Sequence, residues 1–286
     1  MPTTYAHWRF GCDCIEVLPE DVKKAIDKNR AIFDLGVHGP DIFFYDLKHP
    51  ELPEYGSHMH TEPGSVFFGR CLEVYRNNAE DKEAMLAYIF GFLSHYAFDS
   101  QAHSYVGVKD ASCDRLTHNK IEAEYDAYLM KKDGRSVNQT KRSTLLKPDR
   151  NIARIIARFY PFSEIEMYRG LIAQKLIISF FNSRLELKRK SFDRILRKAK
   201  KPDYADLFVY PYESELCADS NLRLDKLKDN ALTVYKELSA NLYDALNGKT
   251  QLCEYFDRFN FDPEPDERTF VLPYEEEKNY IPEILR

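Results

Sequence analysis

The stretch of the chain that most constrains its fold runs from Met85 to His103 and reads MLAYIFGFLSHYAFDSQAH. Its first half is a dense run of apolar residues, and its second half carries His95, Asp99 and His103 at intervals of four residues. Four residues of an α-helix turn through about 400°, so these three side chains share one helical face. The stretch therefore predicts a central, buried helix that presents two imidazoles and a carboxylate on one side.

The rise of the helix separates His95 from His103 by about 12 Å. Because metal–nitrogen bonds are about 2 Å long, one ion is not expected to bind both histidines, whereas either can pair with Asp99. A carboxylate between two imidazoles suits a site with several metal ions, since its two oxygens can bridge two of them. The same pattern also fits a core helix with two hydrogen-bonded histidines and an ion-paired aspartate.

Composition excludes several classes of protein. The 286-residue chain has a formal net charge of -5, so the whole molecule is not a polycation that binds nucleic acid. The chain contains no uninterrupted run of about 18 apolar residues, so no transmembrane helix is expected. No secretory signal is visible at the amino terminus. The 6 cysteines are scattered. We therefore expect a cytoplasmic protein with reduced thiols.

No strand-like alternation persists anywhere, and the predicted fold is an all-α, multi-helix bundle around a multinuclear metal site. One domain is expected over 1–286, with a metal-binding core region at 1–130, additional helices at 148–258 and an extended tail at 260–286. Helices are predicted at 3–18, 20–32, 67–76, through the central stretch, and at 114–130, 148–160, 163–187, 212–247 and 249–258. Glycines and prolines predict an irregular segment over 36–65, and a second loop is predicted at 104–113. The basic segment 184–201 could meet a phosphate-rich surface, although a solvated helix face is favoured.

The candidate ligands are imidazoles and carboxylates, and all 8 histidines lie at or before residue 118. Donors of this kind without thiolate suit Zn²⁺ at catalytic sites, where one coordination position stays open to water. Two Zn²⁺ ions against three carboxylates sum to about +1, which attracts phosphate and lowers the pKa of bound water towards about 7. The set comprises His7, Asp41, His58 or His60, His95, Asp99, His103, His118 and Glu122.

Five ordered pieces of the chain, YAHWRFG, HGPDIFFY, MHTEPG, HYAFDSQAH and HNKIEAEYD, resemble the zinc-dependent phospholipase C proteins. These proteins share an all-α fold with S1/P1-type nucleases, and the resemblance covers roughly residues 4 to 130. It implies that one zinc is held by Asp41, His60, His95 and Asp99. It also implies that a second zinc is held by His103, His118 and Glu122.

The third metal site of that family uses an aspartate matching Asp99, a histidine matching His7 and the amino group of an N-terminal tryptophan. This chain departs from the pattern, because its single tryptophan is Trp8. Met1, Pro2 or water would have to complete the site. Two zinc ions are therefore expected, with a third possible.

The resemblance implies a hydrolase that cleaves phosphodiesters of the phospholipid kind with a metal-bound hydroxide, in which Asp41 and Asp99 are the catalytic carboxylates. His38 is a candidate substrate-binding residue that could donate to a phosphate oxygen or orient Asp41, and an ordinary loop histidine is the alternative at this position. His60 is preferred to His58 because it lies within the resembling MH-x-x-PG piece. A nuclease acting on single strands is the alternative enzyme, although nucleic acid is not favoured. A metal-binding scaffold protein without turnover is the alternative outside enzymes.

Overall fold

A computed structural model of the protein describes residues 4–46, 48–112, 116–183 and 185–264, and this part of the chain is helical without any strand. The predicted all-α fold is confirmed. The α-helices are α1 Thr4–Ile15, α2 Glu20–Lys28, α3 Arg30–Gly36, α4 Glu51–Thr61, α5 Gly64–Asn77, α6 Lys82–Ala111, α7 His118–Lys132, α8 Arg150–Ala157, α9 Glu164–Phe181, α10 Glu186–Lys198, α11 Pro202–Ala205, α12 Ala218–Leu246 and α13 Glu254–Arg258. Short 3-10 helices span Gly39–Tyr45, Arg142–Thr144 and Glu215–Cys217.

Helix α6 is the centre of the molecule. Every residue from 84 to 103 is buried, and the helix contacts α1, α2, α3, α5, α7, α8 and α12. A helix that is apolar all round is one that other elements surround on every side. The polar residues of α6 are therefore held in an enclosed interior. None of the described helices is long and apolar enough to cross a membrane.

Helices α3 and α6 cross with their backbones in direct contact at two glycines. A Cβ atom on Gly36 would lie 2.6 Å from the carbonyl oxygen of Tyr88, and one on Gly91 would lie 2.6 Å from that of Phe33. These distances leave no room for a methyl group against another backbone. The crossing brings the end of α3, and the 3-10 helix that follows it, next to the histidines of α6.

The prediction of an irregular segment over 36–65 is wrong. The structure has the 3-10 helix Gly39–Tyr45 and the helix α4 there, and these carry Asp41 and His60. Pro50 is the N-cap of α4 and Pro53 lies in its first turn. The N–H groups of a first turn have no partner within the helix, so prolines are tolerated there.

Other helix boundaries also differ from the prediction. The expected loop at 104–113 is a continuation of α6 to Ala111, because one Gly107 weakens a helix by only about 1 kcal/mol while Tyr105 and Val106 remain buried. The helix expected over 163–187 ends at Phe181, where Asn182 bonds to Thr140 and Arg142 instead. Smaller changes are a break in 20–32 at residue 29, a start of α7 at 118, a start of α12 at 218 and a start of α13 at 254. Residues 265–286 of the predicted tail lie outside the described residues.

Replacing Gly91 by Ala should lower the free energy of unfolding by about 1–3 kcal/mol, since the added methyl group meets the backbone of α3. Gly107→Ala is the matched control in the same helix, because a Cβ there has no neighbour within 4 Å. The control should leave stability unchanged or raise it by up to about 1 kcal/mol. Urea unfolding of both variants measures the difference, and equal stabilities would contradict the close crossing.

Candidate metal centre

The amino-terminal helix α1 is held in place by a buried carboxylate of α7, that of Asp126. The carboxylate of Asp126 accepts hydrogen bonds from the backbone N–H groups of Tyr5 and Ala6, at 2.8 Å for Ala6, and pairs with Arg142 at 2.7 Å. An anion at a helix N-terminus satisfies its unpaired N–H groups and interacts favourably with the helix dipole. This arrangement sets the position of His7, which directly follows Ala6 in α1.

The 3-10 helix Gly39–Tyr45 approaches α6 closely enough to bring Asp41 beside the histidines. Gly39 has φ of 49°, and a Cβ on it would lie 2.2 Å from the Cδ2 atom of His95. Only glycine satisfies both the left-handed backbone and the contact with the imidazole. The carboxylate of Asp41 then reaches His60, with Oδ1 3.2 Å from Nε2.

The structure brings the eight predicted ligands together from five helical elements. Three groups have donor atoms mutually within 4.8 Å, and these are His7 with His95 and Asp99, Asp41 with His60 and His95, and His103 with His118 and Glu122. His95 belongs to two of the groups. Its ring stacks on that of His7, with the ring centroids 4.2 Å apart.

Asp99 links the groups through its two oxygens. Its Oδ2 lies 2.8 Å from Nε2 of His95, while its Oδ1 lies 3.3 Å from Nε2 of His7 and 3.6 Å from Nε2 of His103. The carboxylate of Asp99 is therefore close to His7 and His95 of its own donor group and to His103 of another donor group. The expectation that either His95 or His103 can pair with Asp99 agrees with these distances.

Backbone carbonyls orient two of the imidazoles. His60 donates from Nδ1 to the carbonyl of Gly56 at 2.7 Å, and Nδ1 of His95 lies 3.3 Å from the carbonyl of Val37. A ring whose Nδ1 is bound in this way presents Nε2 as the free donor. For both residues that nitrogen points at the neighbouring carboxylates.

The donor atoms fit a cation better than they fit one another. Within the described chain, Nε2 of His95, Oδ2 of Asp99 and Nδ1 of His7 are buried without a hydrogen bond of good geometry. Two ligands bound to zinc at about 2.1 Å in a tetrahedron lie about 3.4 Å apart, which matches the 3.5 Å between His103 and Glu122. A cavity of about 20 Å³ among His7, Asp99, His103 and Glu122 has room for one water or ion.

The electrostatics of the site follow from charges that are buried together. Burial alone would raise the pKa of Asp99, but the imidazoles of His103, His95 and His7 hold it well below its ordinary value. Burial would lower the pKa of His103, and the carboxylates of Asp99 and Glu122 raise it to about 9. For His7, burial and the adjacent His95 lower the pKa to about 3. The centre therefore holds both neutral and positively charged imidazoles when no metal is bound.

The remaining predicted residues do not belong to the three donor groups. His38 is buried, and burial lowers its pKa to about 3, while its Nε2 atom has no hydrogen-bond partner among the described residues. His58 lies exposed on α4 and pairs with Glu62 at 3.2 Å. The ring of Trp8 packs against that of Tyr5, with the centroids 5.7 Å apart. Met1 and Pro2, which with water were the candidates to complete the third site, lie outside the described residues.

Sequence reasoning missed a segment near the carboxyl end of the described chain. Phe261 is 1% exposed and its ring packs against those of His60, His95 and Tyr96, while Oδ1 of Asp262 lies 3.8 Å from Nδ1 of His103. The backbone N–H of Phe261 also donates to the carbonyl of His60. The expected tail at 260–286 gave no signal of this contact, because a single Phe in a Pro-rich acidic stretch has no periodicity.

A family model described as zinc dependent phospholipase C matches residues 6–167. This chain belongs to the zinc dependent phospholipase C family. The resemblance found in the sequence is thereby confirmed, and the matched range contains His38 and all eight predicted ligands. No curated protein and no solved structure matches the chain.

Membership of the zinc dependent phospholipase C family supports zinc as the metal, a hydrolase as the class of enzyme, and a phospholipid or another phosphoester as the class of substrate. The assignment of each donor group to an ion, and the number of ions, stay predictions. The chemistry of the donor set agrees with zinc, since nitrogen and carboxylate oxygen are its ordinary ligands at catalytic sites.

Zinc titration of the metal-free protein should give two tightly bound ions per chain and a third that binds clearly more weakly. The weak step belongs to His7, where His95 and Asp99 are shared with other ions, and His7→Ala should remove that step alone. His58→Ala is the control and should keep all three steps. Less than one ion per chain would contradict the metal site, and three equally tight ions lost together in His7→Ala would contradict the graded order.

Zinc binding at pH 7.5 should release protons, because His103 with a pKa of about 9 is protonated in the metal-free protein and must become neutral to bind. As the pH falls below about 9, affinity should decrease by up to about tenfold per pH unit. Calorimetry in two buffers of different ionisation enthalpy counts the protons. His103→Gln should release fewer protons and His58→Gln the same number, whereas wild-type binding without proton release would contradict the raised pKa.

Proposed function

We propose that the protein is a zinc-dependent phosphodiesterase of the phospholipase C kind. The observation that carries the proposal is the position of the Asp99 carboxylate between the imidazoles of His95, His7 and His103. Zinc bound there supplies a Lewis acid and makes coordinated water more acidic. Asp99 and Asp41 hold negative charge at buried positions, and this charge keeps the cations in place.

The charge balance favours an anionic substrate. Two Zn²⁺ ions against Asp41, Asp99 and Glu122 sum to about +1 in an interior with little competing solvent. A phosphodiester carries one negative charge, which such a pocket attracts and which grows on the phosphoryl oxygens in the transition state. His38 is the proposed contact to a phosphate oxygen. Because its side chain is buried and interacts electrostatically with Asp41, orientation of Asp41 is the other role that we propose for it.

A nuclease acting on single strands is the second candidate of the same class. Such enzymes stack bases on aromatic side chains beside the metals. Phe44 is a half-buried aromatic residue next to the centre, with its ring 5.3 Å from that of His60, whereas Phe261 is fully covered. A metal-binding scaffold protein that catalyses no reaction is the candidate function outside enzymes. For the enzyme, we propose a cytoplasmic location.

Purified, zinc-loaded protein should hydrolyse bis(p-nitrophenyl) phosphate and phosphatidylcholine faster than single-stranded DNA, and a chelator should abolish all hydrolysis. Preference for DNA would favour the nuclease. Bound zinc without turnover of any of these would favour the scaffold.

Asp99→Asn should lower kcat/KM for bis(p-nitrophenyl) phosphate by at least about 100-fold and reduce the zinc content, since an amide does not provide two anionic oxygens. His38→Gln should cost less, because an amide can still donate a hydrogen bond to phosphate. His58→Gln is the control with wild-type rates. If Asp99→Asn keeps both wild-type zinc content and wild-type activity, the central helix is structural and the proposed function is wrong.

A further inference from the structure

A large apolar cavity lies beside the metal centre, between the 3-10 helix Gly39–Tyr45 and the helices α9 and α11. We propose that this cavity binds the aliphatic chain of the phosphoester substrate while the metal centre holds its phosphate. The inference rests on the proposed function and adds to it a site for the non-reacting part of the substrate. Most of the wall comes from residues beyond the range 6–167 that the family model matches.

The chemistry of the wall selects an uncharged, apolar ligand. The cavity has a volume of about 380 Å³, and its sides are leucine, isoleucine, phenylalanine and tyrosine side chains of α9 and the segment 204–207. Among the described residues that line it, the one with a charged side chain is Arg142, whose guanidinium is bound by Asp126 at 2.7 Å and by Asn182 at 3.0 Å. A polar ligand would lose its hydration in such a cavity without gaining hydrogen bonds, whereas an alkyl chain loses nothing by leaving water.

The inner end of the cavity adjoins the metal ligands. Phe44 and Tyr45 line it and follow Asp41 within the same 3-10 helix. The ring of Phe44 also contacts that of His60, with centroids 5.3 Å apart. Thr4, which lines the cavity as well, lies one helical turn before His7. Phe44 therefore forms a wall that the cavity shares with His60. The opening of the cavity at Tyr204 lies beside the partly exposed ligand His118, because the neighbouring Asn119 donates a hydrogen bond to the carbonyl of Asp203.

The outer end of the cavity is open to solvent through apolar side chains. Leu176 of α9 and Tyr204 of α11 line the cavity and are 64% and 46% exposed. Two large apolar side chains at a mouth allow a chain to pass without desolvating a charge. At roughly 30 Å³ for each methylene group, about the volume of a water molecule in the liquid, the cavity has room for roughly a dozen.

The ligand that these observations favour for the cavity is one aliphatic chain of an amphipathic phosphoester. The anionic group of such a molecule is drawn to the cationic metal centre, and its chain to the adjoining apolar space. Burial of each methylene group is worth about 0.8 kcal/mol, which corresponds to roughly a fourfold gain in affinity per carbon. Chain length should therefore control binding until the cavity is full.

The first test uses n-alkanols from butanol to decanol with zinc-loaded protein, below their aggregation limits. All members share one hydroxyl group, so differences between them report the chain alone. Calorimetry should give a Kd that falls roughly fourfold per carbon. In parallel, kcat/KM for n-alkyl p-nitrophenyl phosphodiesters should rise with alkyl length over the same range. A Kd independent of chain length would overturn the proposal, as would alkanol binding that leaves kcat/KM independent of chain length.

Variants of helix α9 locate the effect. Leu176→Asp puts a charge at the mouth and should remove most of the dependence on chain length. Ile165→Asp is the matched control, because it makes a similar change on the same helix at a residue that is 76% exposed and does not line the cavity. Ile177→Trp fills the cavity from inside and should weaken decanol binding by at least about tenfold, with folding checked by thermal melting. Retention of the full chain-length dependence in both Leu176→Asp and Ile177→Trp would overturn the proposal.

Failure of this inference and failure of the proposed function give different results. If bis(p-nitrophenyl) phosphate is hydrolysed but alkyl length has no effect, the phosphodiesterase stands and the chain site is wrong. If no phosphodiester is hydrolysed but alkanols bind with the predicted dependence, the proposed function is wrong and the cavity is not a substrate site of this enzyme.

Discussion

The structure depends on one buried carboxylate, that of Asp99, and on how its charge is balanced. Transfer of an isolated carboxylate to the interior is prohibitively costly unless it is paired. Here three imidazoles from α1 and α6 surround it, and they lower its pKa. Two of these imidazoles, those of His95 and His103, lie on α6 itself, and α1 brings the third, that of His7, to the same point of the helix.

The elements that supply those groups are each fixed by a specific local contact. Asp126 and Arg142 hold the start of α1, and Gly39 lets the 3-10 helix contact His95 directly. The paired glycines 36 and 91 determine how closely α3 approaches α6. Because these contacts are rigid backbone or buried ionic interactions, the donor atoms are preorganised at separations that suit zinc before any ion binds.

The same packing gives the site its surroundings. Phe261 and the backbone around it cover His60 and His95 on one side, and Phe44 separates His60 from an apolar cavity on another. A centre enclosed in this way has a low effective dielectric, which strengthens its attraction for an anionic group. It also places the metal ligands within one side-chain layer of an apolar cavity, as the proposed binding of an amphipathic substrate would require.

The sequence by itself determined the all-α class, the central helix and the side of that helix on which His95, Asp99 and His103 lie. These follow from helical geometry, which relates residues four apart whatever else the chain does. It also indicated which distant residues belong to the site, through the order of the resembling motifs. Only the tertiary structure decided that His7 stacks on His95, that α6 continues past residue 104, that α4 forms despite two prolines, and that Phe261 covers the centre. Those outcomes depend on how helices far apart in the chain cross and pack, and no local periodicity encodes the crossing.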